Sequence, residues 1–317
     1  MSDLAPVLIT VYDRFDSLQN AVSNLQKNEL SKQTDLYIVS DYAYDVKHEE
    51  IIHQIREYIK NIKGFKSVEG IFWDSNKGSF DSWYDATKYI FSKHDQLIIF
   101  EDDILVSNRF LEYMNTALDF YKDDKRIISI ASHVHYKNIP YRGYPHEVFL
   151  LEMFSPWGVG MWKDRFESID YTLDNIDEFI NDREQIKEFN KISKHMMHIL
   201  MHMLDNKKKY GDVITCIHMF KNKLYTLYPI KPLSVNRGHD GRGEHCGVDN
   251  RWQNQKLVND FIPKLVKNIE FDKRIKKRAF KAFYSIKQHA IIPVLQKIRI
   301  YNFTRKIYKY ITKSKTK

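Results

Sequence analysis

QLIIFEDDILVSNRF, residues 96–110, joins a run of apolar and β-branched residues directly to three consecutive carboxylates. The segment QLIIF (96–100) has the length and composition of a strand that is buried on both faces of a parallel sheet. Glu101, Asp102 and Asp103 follow without a spacer, and neighbouring like charges repel each other unless a cation or solvent compensates them. The strand therefore ends at a point that needs counter-charge.

Outward from this segment, strand patterns alternate with helix patterns. Apolar, β-rich runs predict strands over 6–12, 35–41, 68–73, 96–100 and 126–132. Apolar residues at helical spacing predict helices over 18–26, 49–62, 82–94 and 110–122. Strands that alternate with helices in this way indicate a doubly wound α/β fold.

The acids after residue 100 stand where such a fold binds ligands. In doubly wound sheets, ligands bind beyond the carboxyl ends of the strands, and Asp41 also ends a predicted strand. A divalent cation with hard oxygen ligands would offset the clustered charge, and a nucleotide diphosphate would complete its coordination. The alternative is a solvated acidic turn, with Ser107 capping the following helix.

The composition fits a soluble globular protein, since 43% of the 317 residues are apolar and 29% are charged. No run of about 18 apolar residues occurs, so a membrane-spanning helix is not expected. The first residues, MSDLAPVLITVYDRF, lack the pattern of a secretory signal, which favours a cytoplasmic location. Cys216 and Cys246 give neither a disulfide framework nor a zinc-finger spacing.

The net charge of +9 is concentrated in the tail, where residues 273–317 contain 15 Lys or Arg and no acid. Residues 1–272 thus hold 35 basic and 41 acidic residues, a net charge of −6, which argues against nucleic acid as a partner. We predict that residues 271–317 form a helical, basic, amphipathic extension that binds an anionic membrane surface. A disordered, solubilising tail and an RNA-binding tail are the alternatives.

Four segments together resemble nucleotide-sugar glycosyltransferases of the GT-A fold. They are PVLITVYDR (6–14), LYIVSD (36–41), IIFEDDILVSNRFLEYM (98–114) and FSPWGVGMW (154–162). The resemblance covers residues 5–250 and is greatest to the N-acetylglucosaminyltransferase I type and to bacterial sugar transferases with an EDD motif. It implies a mixed, mostly parallel sheet flanked by helices within a domain of residues 1–270. The nucleotide-binding half would span about 1–135 and the acceptor-side half about 136–270.

The resemblance also implies which residues bind the donor. Asp103 would ligate the Mn²⁺ or Mg²⁺ ion that holds the donor diphosphate. Arg14 and Lys77, in DSNKG (74–78), would approach the phosphates, and Asp41 would contact the base; an exposed lysine in an ordinary glycine turn is the alternative for Lys77. The full set of predicted donor contacts is Thr10, Tyr12, Arg14, Asp41, Lys77, Glu101 and Asp102.

Two further segments resemble the sugar and acceptor side. In SPWGVGMWKDRF (155–166), Trp157 offers a flat face for a sugar ring, while Gly158 and Gly160 allow close backbone approach; alternatively both tryptophans fill core. In VNRGHDGRGEHCG (235–247), polar side chains between glycines are candidates for phosphate, sugar or acceptor contacts, unless the loop is merely flexible surface. The candidates there are Arg237, His239 and Arg242, with His245 as a further candidate metal ligand.

The catalytic base is predicted from position within the resemblance. Inverting members use a carboxylate after the glycine-containing segment, and Asp212 in YGDVIT (210–215) stands there. Val213 departs from the animal-type pattern, which has Trp after the acid. Competing acids are Asp164, Asp170 and Asp205.

Three histidines in HMMHILMHM (195–203) share one helix face, as metal ligands would, but the interleaved methionines favour a helix that packs on the domain.

From these features we expect a metal-dependent, inverting glycosyltransferase. Its donor would be a nucleotide sugar, with UDP-sugars favoured, and its acceptor a saccharide, lipid-linked at the inner face of a bacterial membrane during surface-glycan synthesis. A scaffold protein that has kept the fold without turnover is one alternative. A hydrolase of nucleotide sugars is the other.

Overall fold

The computed structural model describes residues 4–137, 139–242 and 248–283, together with residues 291, 294 and 295. The strands of this part of the chain are β1 (Val7–Val11), β2 (Asp35–Ser40), β3 (Ser67–Phe72), β4 (Gln96–Glu101), β5 (Ile104–Val106), β6 (Ile127–Ala131), β7 (Val148–Leu151), β8 (Val159–Trp162), β9 (Tyr225–Pro229) and β10 (Ser234–Asn236).

Helices connect most of these strands. They are α1 (Phe15–Leu25), α2 (Glu49–Asn61), α3 (Gly78–Phe91), α4 (Phe110–Tyr121), α5 (Lys163–Glu167), α6 (Ile176–Asn181), α7 (Arg183–Phe189), α8 (Lys194–Asn206), α9 (Gly211–Asn222), α10 (Asn250–Gln253) and α11 (Lys273–Phe283). None of the helices in the described ranges combines the length and the apolar composition that crossing a bilayer requires.

Eight strands form one mixed sheet in the order β3-β2-β1-β4-β8-β6-β9-β7. β3, β2, β1 and β4 are mutually parallel, and β6 is parallel to β9. β8 runs antiparallel to both β4 and β6, and β7 runs antiparallel to β9. The prediction of an α/β fold with a mixed, mostly parallel sheet is confirmed.

Helices cover both faces of this sheet because its strands are apolar on both sides. Alternate residues of β1 belong to different cores: Leu8 packs with residues of α3, α8 and α9, whereas Val7 and Ile9 pack with α1, α2 and α4. β4 divides in the same way, with Leu97 and Ile99 on one side and Ile98 and Phe100 on the other. The sheet is therefore doubly wound, as the alternating sequence pattern predicts.

A second, two-stranded sheet joins the acidic segment to the polar loop that follows β10. β5 follows the three acids directly and pairs antiparallel with β10, with Leu105 opposite Val235 and Ile104 opposite Asn236. The backbone N–H of Arg237 then donates to the Asp103 carbonyl at 2.8 Å. This small ribbon fixes the loop after residue 236 against the carboxyl end of β4.

The first part of the predicted basic tail is a helix packed on the body. In α11, Ile275 and Ala279 are buried, and Lys276 Nζ lies 2.6 Å from Glu152 Oε2. The Arg278 side chain donates to the Ile139 carbonyl at 2.6 Å. The apolar stripe of α11 therefore contacts protein, and its exposed face carries the cations. Residues 284–317 lie outside the described residues apart from 291, 294 and 295.

Candidate functional site

The candidate site begins where two neighbouring parallel strands end. β1 and β4 pair in parallel with Thr10 opposite Glu101, and the backbone N–H of Asp102 donates to the Thr10 carbonyl at 3.1 Å. Arg14 follows β1 and starts α1, while the three acids follow β4. The register therefore places an arginine and an acidic triplet at one edge of the sheet.

Arg14 is the counter-charge that the acidic triplet needs. Its guanidinium lies 2.8 Å from Asp102 Oδ1 through Nη2 and 2.7 Å from Asp103 Oδ2 through Nη1. Burial alone would lower the pKa of Arg14, but Asp102 and Asp103 raise it above its ordinary value. Asp102 and Asp103 are buried, with 2% and 7% of their surface exposed, so Arg14 provides the stabilisation that water would give to exposed carboxylates. The predicted contact of Arg14 with donor phosphates stays a prediction.

The third acid, Glu101, keeps its side chain exposed in the cleft. Desolvation by neighbouring protein, followed by repulsion from Asp103, raises the pKa of Glu101 to about 7. Burial likewise raises the pKa of Asp102, against the opposing effect of Arg14. One arginine thus lies beside three acids, and a further cation at this edge of the sheet would be needed to balance their charge.

The residues present fit a divalent cation at Asp103. Its Oδ1 atom is buried and accepts no hydrogen bond from the described part of the chain. Its Oδ2 atom lies against Gly238, where any Cβ would be only 2.0 Å away, so only glycine fits at position 238. Among the residues that the structure describes, no three His, Cys, Asp or Glu side chains form a metal cluster by themselves. An ion here would therefore take Asp103, with Glu101 nearby, and complete its shell from a ligand such as a diphosphate.

Asp41 organises the loop before α3. Its carboxylate accepts hydrogen bonds from the backbone N–H groups of Tyr42, Lys77 and Gly78, at 2.8 to 2.9 Å at the nearest oxygen. The Asn76 side-chain amide adds a contact at 3.2 Å. The structure therefore explains the buried Asp41 through the turn that begins α3, and its predicted contact with a nucleobase stays a prediction.

Two other predicted donor contacts already have protein partners. Lys77 Nζ lies 2.6 Å from Asp85 Oδ2 and 3.9 Å from the centre of the Trp73 ring. The Tyr12 hydroxyl lies 2.7 Å from His48 Nδ1 and accepts from the Tyr44 N–H at 2.8 Å. Both side chains stand at the edge that the acids occupy, because they follow β3 and β1.

The polar loop after β10 is tied down by its arginines. The Arg237 guanidinium donates to the carbonyls of Gln253 and Gln255, the latter at 3.0 Å. Arg242 pairs with Asp16, at the start of α1, and with Asp240. These contacts hold in place a loop whose Gly238 lies against Asp103. The candidate ligand His245 lies outside the described residues.

Trp157 belongs to an aromatic cluster that lies beside this loop. Its ring centre is 5.1 Å from that of Trp252, 4.8 Å from His133 and 5.6 Å from His239. Trp252 in turn stacks on His239 and meets His135 edge-on at 4.8 Å. Burial lowers the pKa of His133 to about 4. The cluster is therefore an aromatic wall in which the His133 imidazole is neutral at pH 7.

Internal packing accounts for both glycines near Trp157. Gly158 has a φ of +93°, and a Cβ there would lie 2.2 Å from Ser132 Oγ. A Cβ on Gly160 would press on Met114 and Leu118 of α4 at 3.0 to 3.2 Å. The close approach that these glycines permit is between parts of this chain, and a ligand contact at Gly158 stays a prediction.

Sequence reasoning missed Trp252, His133, His135 and Gly238. His133 and His135 follow the apolar strand β6 in the segment SHVHY (132–136), so the rule that drew attention to the acids after β4 applies to them equally. No local pattern singles out Trp252 or Gly238, because each gains its position from contacts with residues distant in sequence.

Asp212 lies in the first turn of α9, where its charge contributes to the raised pKa of Glu101. The structure therefore brings the predicted base into electrostatic range of the acidic triplet. Among its competitors, Asp164 follows β8, whose Trp162 pairs with Gln96 at the start of β4, so Asp164 lies at the opposite edge of the sheet. Asp170 accepts hydrogen bonds from Thr172, and Asp205 is exposed near the end of α8.

Neither a protein-family model nor a curated protein sequence matches this chain. The chain is similar to the crystal structure of S. aureus TarS, with 16% identity over 53% of this chain and 30% of TarS, at a TM-score of 0.36. It is also similar to the mannosyltransferase PcManGT from Pyrobaculum calidifontis in complex with GDP-Man and Mn²⁺, with 11% identity over 62% of this chain and 55% of that protein, at a TM-score of 0.37. This chain thus spans less than two thirds of either protein, and similarity at this level assigns no function.

Replacement of Arg14 tests the counter-charge. We expect Arg14→Gln to lower the free energy of unfolding by about 3 kcal/mol at pH 7, because two buried carboxylates lose their partner. The loss should be smaller at pH 5, since Arg14 opposes the burial that raises the pKa of Asp102, and protonation of Asp102 in the variant then removes its charge. Urea denaturation with EDTA present measures both values.

Arg109→Gln is the matched control, because Arg109 forms an ion pair with Glu112 at 2.6 Å on the protein surface. It should cost less than about 1 kcal/mol at either pH. Equal losses for the two variants would contradict the role of Arg14.

Proposed function

We propose that this protein is a metal-dependent glycosyltransferase that moves a sugar from a nucleotide-diphosphate donor to a hydroxyl group of a saccharide. The observation that carries the proposal is the buried Asp103 Oδ1, which receives no hydrogen bond from the described residues and belongs to an acidic triplet at the carboxyl edge of the sheet. The resemblance of the EDD segment to GT-A glycosyltransferases agrees with that geometry. Donor and acceptor would meet between this edge and the wall that contains Trp157.

Asp103, with Glu101 beside it, would hold Mn²⁺ or Mg²⁺. When bound, the ion supplies positive charge to the diphosphate as the bond to the sugar breaks. Arg14 keeps Asp102 and Asp103 in position through its two contacts, and the loop at Gly238 limits solvent access to Asp103. The remaining donor contacts would come from Thr10, Tyr12, Asp41 and Lys77.

Asp212 would act as the general base. Its place in the first turn of α9, within electrostatic range of Glu101, supports a role at the same cleft. The carboxylate would accept the proton of the acceptor hydroxyl as that oxygen attacks the anomeric carbon. Attack opposite the departing diphosphate would invert the configuration, and we propose inversion on the strength of the family resemblance.

We further propose a UDP-sugar as donor and a lipid-linked saccharide of a bacterial surface glycan as acceptor. The basic extension would hold the enzyme at the inner face of the cytoplasmic membrane. The exposed cations of α11, including Lys273, Lys277 and Lys281, support an electrostatic contact with anionic lipid.

Vesicle binding tests the membrane proposal. The full chain should sediment with vesicles of phosphatidylglycerol and phosphatidylcholine at low salt and should be released at high salt, because charge drives the contact. Vesicles of phosphatidylcholine alone are the control. Binding that is indifferent to lipid charge or to salt would refute the proposed attachment.

The metal ligand is tested by two neighbouring variants. Asp103→Asn should weaken Mn²⁺-dependent binding of a nucleoside diphosphate by about tenfold or more, because it removes the proposed ligand. Asp102→Asn also loses a contact with Arg14, together with a predicted donor contact, but keeps the proposed metal ligand, so Mn²⁺ should still strengthen its binding. Calorimetric titration of UDP and GDP, with and without Mn²⁺, measures the affinities. Equal behaviour of the two variants would rule out the special role of Asp103.

The base is tested by turnover. Asp212→Asn should lower kcat by about 100-fold while leaving donor affinity nearly unchanged, because the lost group acts on the acceptor hydroxyl. Nucleotide release from a panel of nucleotide sugars with saccharide acceptors measures turnover, and Asp205→Asn is the control. Normal turnover of the Asp212 variant would assign the base to another acid. Release that is equally fast without acceptor would instead favour hydrolysis.

A further inference from the structure

A cavity of about 760 Å³ opens at the same edge of the sheet as the acidic triplet. Its walls come from the chain after β6, the segment after β9 and the chain around α10. The side chains that give the cavity its chemistry are Tyr136, Tyr141, Tyr144, Lys231, Arg251 and Lys256. This volume is typical of a small-ligand site.

The described lining of the cavity carries cations and lacks acids. Lys231 and Lys256 are exposed at its walls, whereas Asp and Glu are absent from the described residues that line it. Arg251 forms an ion pair with Asp249 at 2.6 Å, whereas neither Lys231 nor Lys256 forms an ion pair with an acid among the residues that the structure describes. A cationic pocket contrasts with the net charge of −6 that residues 1–272 carry.

The cavity is also lined by Gln255, whose side-chain oxygen is buried without a hydrogen-bond donor among the described residues. Gln255 is 91% buried, its exposure being 9%, and its side-chain N–H group donates to the Val134 carbonyl at 2.8 Å. Its Oε1 atom is buried and receives no hydrogen bond from any residue that the structure describes. A ligand hydroxyl group would satisfy this acceptor, since burying an unpaired carbonyl oxygen is otherwise costly.

One residue connects the cavity to the acidic triplet. The Arg237 backbone N–H donates to the Asp103 carbonyl, and its guanidinium donates to the carbonyls of Gln253 and Gln255. Trp252 forms a second connection, because its ring contacts both Trp157 and the cavity residue His135. The cavity therefore adjoins the cleft in which we place the donor.

We propose that this cavity binds the acceptor and that the acceptor is an anionic saccharide, an inference that rests on the proposed function. Lys231, Lys256 and Arg251 would bind its carboxylate or phosphate groups. Gln255 Oε1 would accept a hydrogen bond from one of its hydroxyl groups.

Direct binding to the full chain tests this inference without turnover. The probes are trigalacturonic acid and its methyl ester, in which methyl groups remove the charge of the carboxylates, and glucose 6-phosphate with glucose as its neutral counterpart. Calorimetric titration should give at least about tenfold tighter binding for the anionic member of a pair. The pair with the larger ratio tells whether carboxylate or phosphate is preferred.

Three variants locate the binding. Lys231→Gln combined with Lys256→Gln should remove most of the preference for the anionic probes. Gln255→Leu should weaken anionic and neutral probes alike, because it removes a contact with a hydroxyl. Lys187→Gln combined with Lys191→Gln is the control for lost charge, since both lysines form exposed pairs with Glu184 and Glu188.

Equal binding of charged and neutral probes, or an unchanged preference in the Lys231 and Lys256 variant, would overturn the inference. Tighter binding of oligouridylate than of either anionic sugar would do so as well. If the anionic sugars bind as expected but no nucleotide sugar is turned over, the cavity assignment stands and the proposed transferase activity fails.

Discussion

The contact of Arg14 with Asp102 and Asp103 is the constraint on which the site depends. Two carboxylates that are more than nine-tenths buried lie within 2.8 Å of one guanidinium. Removing charges from water in this way is expensive unless the partners are held in fixed geometry. β1 and β4 supply that geometry, because they are parallel neighbours that deliver the arginine and the acids to one edge. The ribbon of β5 and β10 then brings Gly238 against the carboxylate of Asp103.

The arginine compensates only part of the acidic charge. Asp103 keeps one buried oxygen without a hydrogen bond from the described residues, and Glu101 has a pKa raised to about 7 within the cleft. An arginine that neutralised every acid would leave a structural ion-pair cluster with no affinity for a further cation. The observed arrangement instead holds the acids in place and still attracts positive charge, which is the electrostatic requirement for a metal and diphosphate site.

The sequence was sufficient for the parts of the fold that repeat a local pattern. The strands predicted around residues 6–12, 35–41, 68–73, 96–100 and 126–132 are all present, because each is rich in β-branched or aromatic apolar residues. α1 and α3 begin at Phe15 and Gly78, earlier than predicted, since neither start carries a side-chain cap that would mark it. β7, β8, β9 and β10 were not predicted, as their short segments gain their pairing from strands distant in sequence.

The same distinction applies to the site. The acidic triplet was identified because it follows a strand directly, and the strand-end rule is local. That Arg14 pairs with it depends on the order of strands in the sheet, which periodicity does not specify. The amphipathic pattern of α11 predicts that its apolar stripe is buried but does not say against what. In the structure Ile275 and Ala279, which belong to this stripe, pack against the protein itself.

The reversed strand β8 explains why the acidic cleft and the cationic cavity lie at one edge. β8 is antiparallel to both of its neighbours, so β4 and β6 on either side of it point in the same direction. β9 is parallel to β6, and its carboxyl end therefore joins theirs. The acids follow β4, SHVHY (132–136) follows β6 and Lys231 follows β9. With β8 parallel to β4 but still antiparallel to β6, the chain after β6 and β9 would emerge at the opposite edge. The direction of one four-residue strand, β8, thus places the acidic triplet and the cationic cavity at the same edge of the sheet.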